Sequence, residues 1–345
     1  MRETVRPYPA TGARVIALAL ALSWWSWMAG PPFGQAGQAG QIGQAGPAGR
    51  IGQAGEGGGV PATESPGGND LGRRAMEHLE AQCALGPRAP GSPGHAQARD
   101  YIRRVLEGAG GRVTLQTFRH QAPGLPEPVE LTNILARFGP LREGGLLFGA
   151  HWDTRPWADR DPDPARREEP ILGANDGGSG TGLLLALAES FKADPPPIPI
   201  LLAFFDGEDL GREAHPDEYL AGSRYFAEHF PGPFPEMGLV VDMVASRTMV
   251  LNLEQNSRDL FPEMAMLVDG IAQDVQVDAY DGSWGPALID DHIPLIQFGL
   301  PALCLVDFRD PHWHTHADRP ENCSAVNLGA TGRVLQALIG GGFFR

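Results

Sequence analysis

Short apolar runs alternate with helical patterns along most of this sequence. This alternation is the sequence feature that most strongly limits which folds the chain can adopt. Strand-length runs bounded by Gly, Pro or charged residues lie at 113–118, 132–138, 146–150, 198–205, 239–244 and 302–308. Helical patterns lie at 70–79, 95–108, 180–192, 223–229, 259–273 and 325–338. Such alternation predicts a single-domain, three-layer α/β/α fold around a central mixed, mostly parallel twisted sheet.

The size and charge of the chain exclude some classes of function. Its 345 residues are 42% hydrophobic, so the chain can bury a sizeable core. Lys and Arg number 27 against 42 Asp and Glu, which gives a net charge of −15. That charge opposes binding to nucleic acid or to an anionic membrane surface, and it leaves carboxylates for metal binding or acid/base chemistry. We therefore expect no nucleic-acid partner.

The first 30 residues resemble an export signal. Several arginines precede an apolar run at 15–29, which ends in the small residues Ala29 and Gly30. The run is shorter than the roughly 20 residues of a membrane-spanning helix. Residues 1–30 are therefore predicted to be a signal peptide or, since three tryptophans lie in the run, an N-terminal anchor. The protein is expected to be exported: secreted, periplasmic, or tethered to the outer face of a membrane.

Residues 31–68 are rich in Gly, Gln and Ala. Every third residue from Gly34 to Gly58 is glycine, but Pro47 is the single proline of that stretch. A collagen triple helix needs far more proline, so the segment is interpreted as a flexible linker. The catalytic domain is then expected to span 69–345.

Polar residues follow several of the predicted strands directly. His151 follows the run at 146–150, Glu208 and Asp209 follow the run at 198–205, and Asp242 ends the next apolar stretch. A segment rich in histidine, with His314 at its centre, follows the run at 302–308. A parallel sheet would bring these strand-end residues to one edge, where ligands bind in open α/β sheets.

Asp176 lies in a glycine-rich turn at 172–180 that opens a predicted helix. Such a turn can cradle phosphate, cap a helix or place a metal ligand. It has no P-loop lysine, and a carboxylate repels anions, so a metal-ligand role is favoured.

Imidazole and carboxylate ligands without thiolate suit zinc in a catalytic site. The adjacent pair Glu208 and Asp209 fits this reading, because one carboxylate can bind metal while the other transfers protons. An exposed acidic turn is the alternative. The cysteines Cys83, Cys304 and Cys323 are too scattered for a thiolate zinc site. Cys304 is expected to be buried, and a bridge between Cys83 and Cys323 stays open.

Together these motifs resemble the zinc aminopeptidase and glutaminyl cyclase superfamily over residues 70–340. The resemblance implies that Asp176, Asp209 and His314 bind zinc and that Glu208 transfers protons. The two-metal aminopeptidases of the superfamily add a second metal site, which maps here to His151 and Asp242. One zinc ion is favoured, and two are allowed.

Three features favour the glutaminyl cyclase branch. The segment Asp290-Asp291-His292-Ile293-Pro294 resembles a cyclase motif whose first Asp joins a hydrogen-bond network with the strand-end Asp, here Asp290 with Asp242. Trp313 precedes His314, as in cyclases, where an indole walls the substrate pocket. The segment 204–208 also matches the cyclase strand.

The resemblance implies a glutaminyl-peptide cyclotransferase that converts N-terminal Gln to pyroglutamate with release of ammonia. In this reading Glu208, Asp242 and Asp290 are catalytic, Trp313 binds substrate, and the substrates are peptide or protein N-termini. The alternative is a zinc aminopeptidase of the same superfamily, and a binding module without turnover is a third reading.

The sequence departs from the cyclase pattern at two points. Asp209 stands where Glu is commoner, and the tryptophan that animal cyclases place shortly after this pair is absent. Trp157, in an insertion at 155–170, or Trp284 could replace that tryptophan, and packing is the alternative role for each. His312 and His316 flank His314 and would replace it as ligand if the register differed.

Overall fold

A computed structural model describes residues 66–122, 127–212, 218–230, 234–280, 282–283 and 285–344. The predicted leader at 1–30 and the predicted linker up to residue 65 lie outside these residues. Within them the first helix begins at Pro66, four residues before the start that the pattern at 70–79 predicts.

Eight α-helices lie in the described residues. In chain order they are α1 (Pro66–Cys83), α2 (Pro93–Gly108), α3 (Gly178–Ser190), α4 (Ala221–Glu228), α5 (Gln255–Leu260), α6 (Pro262–Asp274), α7 (His292–Gln297) and α8 (Ala325–Gly340). Short 3-10 helices are at Pro164–Arg166, Glu208–Leu210 and Pro320–Asn322. None of the helices in these ranges is both long and apolar enough to cross a bilayer.

The seven strands of the described residues form one sheet. They are β1 (Arg112–His120), β2 (Val129–Phe138), β3 (Leu146–His151), β4 (Ile200–Phe205), β5 (Met237–Asp242), β6 (Asn252–Leu253) and β7 (Ala302–Val306). Their order across the sheet is β1-β2-β4-β3-β5-β7-β6. The four central strands β4, β3, β5 and β7 are parallel, while β1, β2 and β6 pair antiparallel at the two sides.

The central parallel strands are buried on both faces because helices cover each face. The residues of β3 and β4 are all buried, as expected for continuous apolar runs in a parallel sheet. On one face, Phe148 and Leu202 share a core with side chains of α1, α2, α3, α6 and α8. On the other face, Phe205 packs edge-on against Phe226 of α4, at 5.5 Å between ring centroids. The predicted three-layer α/β/α domain is confirmed.

Most predicted elements are present, with shifted ends. The helical pattern at 259–273 is divided in two, because Phe261 leaves the helical region between α5 and α6 and Pro262 starts the second helix. The two-residue strand β6 and the short helix α7 had no sequence prediction, since neither is long enough to show a period. Cys304 is buried as expected, and Cys83 and Cys323 are buried free thiols.

We expect Gly182→Ala to lower the free energy of unfolding by about 1–3 kcal/mol, because α1 crosses α3 closely at this residue. A Cβ atom at Gly182 would lie 2.7 Å from the carbonyl oxygen of Ala75 and 3.1 Å from the amide nitrogen of Leu79. The matched control is Gly270→Ala in the exposed part of α6, where no described atom lies within 4 Å of the new Cβ. It should raise stability by about 0.5–1 kcal/mol. Denaturant unfolding of both variants measures the difference, and shifts of the same sign would contradict the close approach.

Candidate metal centre

The polar residues predicted at the strand ends lie together at one edge of the sheet, where the parallel strands end. His151 is the last residue of β3, and Asp242 is the last residue of β5. Glu208 and Asp209 follow β4 in the 3-10 helix Glu208–Leu210. Because the carboxyl ends of parallel strands share an edge, these side chains converge.

Asp176 reaches the same edge from the turn that precedes α3. Gly177 has φ 79°, and a Cβ atom there would lie 2.4 Å from the carbonyl oxygen of Asp153, so the turn requires glycine. Asp318 fixes the turn from the other side. Its carboxylate accepts hydrogen bonds from the backbone N–H groups of Asn175 at 2.7 Å and Asp176 at 3.0 Å.

The predicted zinc ligands Asp176, Asp209 and His314 form one cluster. Each offers a potential ligand atom within 4.8 Å of the other two, and all three residues are buried. His314 Nε2 lies 3.7 Å from Oδ2 of Asp176 and 3.6 Å from Oδ1 of Asp209. His314 has φ 58°, a left-handed conformation that costs a non-glycine residue about 1–3 kcal/mol. The fold therefore holds this imidazole in place at some energetic cost.

The donor set of this cluster fits a divalent cation. Within the described part of the chain, Oδ2 of Asp176 and Oδ2 of Asp209 are buried without a hydrogen-bond partner. A buried carboxylate oxygen without a partner is costly, and a cation removes that cost. Two carboxylates and an imidazole also match the three protein ligands of catalytic zinc sites.

A second cluster shares Asp176 with the first. His151 Nε2 lies 3.2 Å from Oδ1 of Asp176 and 3.2 Å from Oδ1 of Asp242. One oxygen of Asp176 thus faces each cluster, so this carboxylate could contribute a ligand atom to either one. Burial alone lowers the pKa of His151, but the carboxylates of Asp153, Asp176 and Asp242 outweigh it and hold the pKa well above its usual value.

Glu208 stands beside the first cluster and is mostly buried. Its backbone N–H donates to Asp153 Oδ1 at 3.1 Å, and that of Asp209 donates to Asp153 Oδ2 at 3.3 Å, so one carboxylate fixes both. Burial raises the pKa of Glu208 well above its usual range, and the nearby carboxylates of Asp209, Asp290 and Asp291 add to the shift. A carboxyl group with a raised pKa suits proton transfer near neutral pH.

Asp242 and Asp290 lie close enough to interact. Burial raises the pKa of Asp242 to about 7, and the charge of Asp290 contributes to this shift. Asp290 itself accepts hydrogen bonds from the backbone N–H of Asp291 and from the Cys304 thiol, the latter at 3.2 Å. The carboxylate of Asp290 therefore bonds to these two groups, and its effect on Asp242 is electrostatic.

Trp313 lies half-buried next to His314. Its ring centroid is 4.7 Å from that of Phe308 and 4.0 Å from that of His314. The guanidinium of Arg160 lies over its ring at 4.2 Å. These rings form an aromatic wall adjoining the first cluster.

His312, His316 and Trp157 have other contacts in the structure. His312 Nδ1 lies 3.1 Å from Asp310 and His316 Nδ1 lies 2.8 Å from Asp161, so His314 is the histidine of this segment that joins the cluster. Trp157 is buried under Arg212, whose guanidinium lies 3.8 Å from the ring centroid. That contact favours the packing role of Trp157. Trp284 lies outside the described residues.

Sequence reasoning missed the residues that hold the ligands. These are Asp153, Arg155, Asp159, Asp310 and Asp318. Asp153 stands two residues after His151, close enough to signal a role, whereas Asp318 is known only from the loop geometry. Asp310 accepts from the side chain of Asn175 at 2.6 Å, and no local pattern reveals a partner 135 residues away.

Comparison with known proteins agrees with this geometry. Residues 133–339, which contain every predicted site residue, match peptidase family M28. The mouse glutaminyl-peptide cyclotransferase-like protein is 27% identical over 282 residues, covering 73% of this chain and 71% of the relative.

Two solved structures resemble the chain closely. The glutaminyl cyclase of Tannerella forsythia has a TM-score of 0.75 at 33% identity and covers 78% of this chain and 97% of its own. A Zn-dependent exopeptidase from Parabacteroides distasonis has a TM-score of 0.75 at 31% identity, with the same coverage of 78% and 97%. These matches confirm the superfamily predicted from the motifs. The chain belongs to peptidase family M28.

Proposed function

We propose that this chain is a zinc-dependent glutaminyl-peptide cyclotransferase, which converts the N-terminal glutamine of a peptide or protein to pyroglutamate and releases ammonia. The observation that carries this proposal is the placement of Glu208, Asp242 and Asp290 beside the cluster of Asp176, Asp209 and His314. The likeness to glutaminyl cyclases at 27% to 33% identity supports it.

Asp176, Asp209 and His314 would hold the zinc ion, which when bound supplies Lewis-acid polarisation of the side-chain amide carbonyl of the glutamine. One ion is proposed. His151 Nε2 pairs with Asp176 and with Asp242 at 3.2 Å each, so the second cluster partners its own carboxylates. The buried carboxylate oxygens of the two clusters that lack a hydrogen-bond partner among the described residues, Oδ2 of Asp176 and Oδ2 of Asp209, belong to the first cluster.

Glu208 is the proton-transfer residue in this proposal. The α-amine of the substrate attacks its own side-chain amide carbon, so a new C–N bond forms and the bond to the amide nitrogen breaks. Glu208 accepts a proton from the attacking amine and delivers it to the departing nitrogen, which leaves as ammonia. Asp242 and Asp290 stabilise the proton during this transfer.

Orientation is the other contribution of the chain. Since the nucleophile and the electrophile belong to one residue, holding the glutamine in a single conformation supplies much of the rate enhancement. Trp313, braced by Phe308 and Arg160, would pack on the methylene groups of the glutamine.

An aminopeptidase is the second candidate, and the shared Asp176 favours it. The cluster of His151, Asp176 and Asp242 also has its potential ligand atoms within 4.8 Å of one another. In this reading His151, Asp176 and Asp242 would hold a second ion, and the bound ions would supply Lewis-acid chemistry. Glu208 would take a proton from the water molecule that hydrolyses the first peptide bond. The likeness to a Zn-dependent exopeptidase supports this reading equally.

We also propose that the protein acts outside the cytoplasm, on the basis of the signal-like pattern at 1–30.

The dipeptide Gln-Ala separates the two activities. We expect the purified protein to form pyroglutamyl-Ala and ammonia and to contain one zinc ion per chain. Mass spectrometry of the product, with metal analysis of the same preparation, measures both. Free glutamine and alanine, together with two zinc ions per chain, would establish the aminopeptidase instead.

Replacing Glu208 by Gln should lower kcat by about 100-fold to 10,000-fold, because the amide cannot accept the proton of the amine. The zinc content should stay that of the wild type, since Glu208 is not one of the proposed ligands. Steady-state kinetics and metal analysis test both statements. Glu80→Gln, an exposed position of α1, is the control and should leave both values unchanged. Retained turnover in Glu208→Gln would remove the proton-transfer role.

A further inference from the structure

The insertion at 155–170 contributes a buried cation to the metal centre. Arg155 is fully buried, and its Nη1 donates to Oδ1 of the proposed ligand Asp209 at 2.6 Å. On its other side the same guanidinium donates to both oxygens of Asp159, at 3.0 Å from Nε and 2.6 Å from Nη2. Nη2 also donates to the Tyr219 hydroxyl at 3.0 Å. One side chain therefore uses most of its donors to fix two carboxylates.

Asp159 extends this contact to the second proposed ligand. Its Oδ1 lies 3.2 Å from Nδ1 of His314, on the side of the ring opposite the Nε2 atom that faces Asp176. A carboxylate on the other nitrogen of a metal-binding imidazole sets the tautomer and the orientation of the ring. The contacts form a continuous chain of Asp209, Arg155, Asp159 and His314.

This series of contacts connects two proposed ligands that the sheet alone does not hold together. Asp209 follows β4 and His314 follows β7, and the strands β3 and β5 lie between these two. Each ligand also sits in a loop or a short 3-10 helix rather than in a strand. The distance between them therefore depends on contacts made above the sheet edge.

We propose that Arg155 and Asp159 are positioning residues that set the spacing and orientation of Asp209 and His314 for metal binding. This inference rests on the zinc site of the proposed function and deepens it. It also explains how the protein works with the shorter Asp209, because the bond from Arg155 Nη1 to Oδ1 restricts the rotation of that carboxylate.

Arginine suits this role better than lysine. Its planar guanidinium presents donors in a fixed fork, which matches a carboxylate with two bonds and leaves donors for a second one. A lysine ammonium carries the same charge but cannot hold both carboxylates in a defined plane. The substitution Arg155→Lys thus keeps the buried charge and removes the geometry.

The test measures zinc affinity by competition with a chromophoric chelator in Arg155→Lys, in Asp159→Asn and in the double variant. Loss of a residue that orients a metal ligand typically weakens metal affinity by about 10-fold to 100-fold, and we expect this for each single variant. The zinc affinity of the double variant should be only slightly lower than that of the single variant that binds zinc more weakly, since the two residues act through one series of contacts. Arg212→Lys is the control. It lies beside Trp157 and pairs with Glu168 at the surface, and it should keep wild-type affinity.

Thermal unfolding with and without zinc separates positioning from a general structural role. Positioning predicts a smaller rise in Tm on zinc addition in both single variants than in the wild type. An equal fall of Tm with and without zinc, at unchanged zinc affinity, would overturn the proposal. If Arg155→Lys does not fold, Asp159→Asn decides alone, because it keeps the size of the side chain. A wild-type protein that binds no zinc would overturn the proposed function itself.

Discussion

The crowding of buried carboxylates at one edge of the sheet is the constraint on which the rest of the structure depends. Asp176, Asp209, Asp242 and Asp290 lie near one another there, with Asp153 and Glu208 beside them. Burying unpaired negative charge costs several kcal/mol per group. The fold offsets part of this cost with Arg155 and His151, and a bound cation would offset much of the remainder. If the proposed ion binds, its affinity and the stability of the native state are therefore linked quantities.

The parallel core explains why that crowding arises at all. Continuous apolar runs make β3, β4, β5 and β7 buried on both faces, and a parallel arrangement brings all their carboxyl ends to the same side. The polar residues that directly follow each run therefore lie at that same edge of the sheet. Period and position along the chain were therefore enough to predict the α/β class and the convergence of the strand-end polar residues. The choice of Asp176, Asp209 and His314 as one ligand set came from the resemblance to the superfamily.

What the sequence could not predict depends on contacts between distant loops. Asp318 holds the turn of Asp176 from 142 residues away, and Arg155 reaches Asp209 across 54. Neither pairing has a period, a fixed spacing or a local motif. Short elements such as β6 were missed for a related reason, since two residues cannot display an alternation. The departure at Asp209 was visible in the sequence, but its partner Arg155 was not.

The loop at 310–318 serves two ligands at once. It carries His314 directly, and through Asp318 and Asp310 it also braces the turn that presents Asp176. A change in the length of this loop would displace both ligands together, so it has little freedom to diversify. The exposed residues at 162–170 neither carry a proposed ligand nor brace the turn that presents Asp176. Substitutions at these exposed positions should disturb the proposed ion-binding groups less than substitutions in the loop at 310–318.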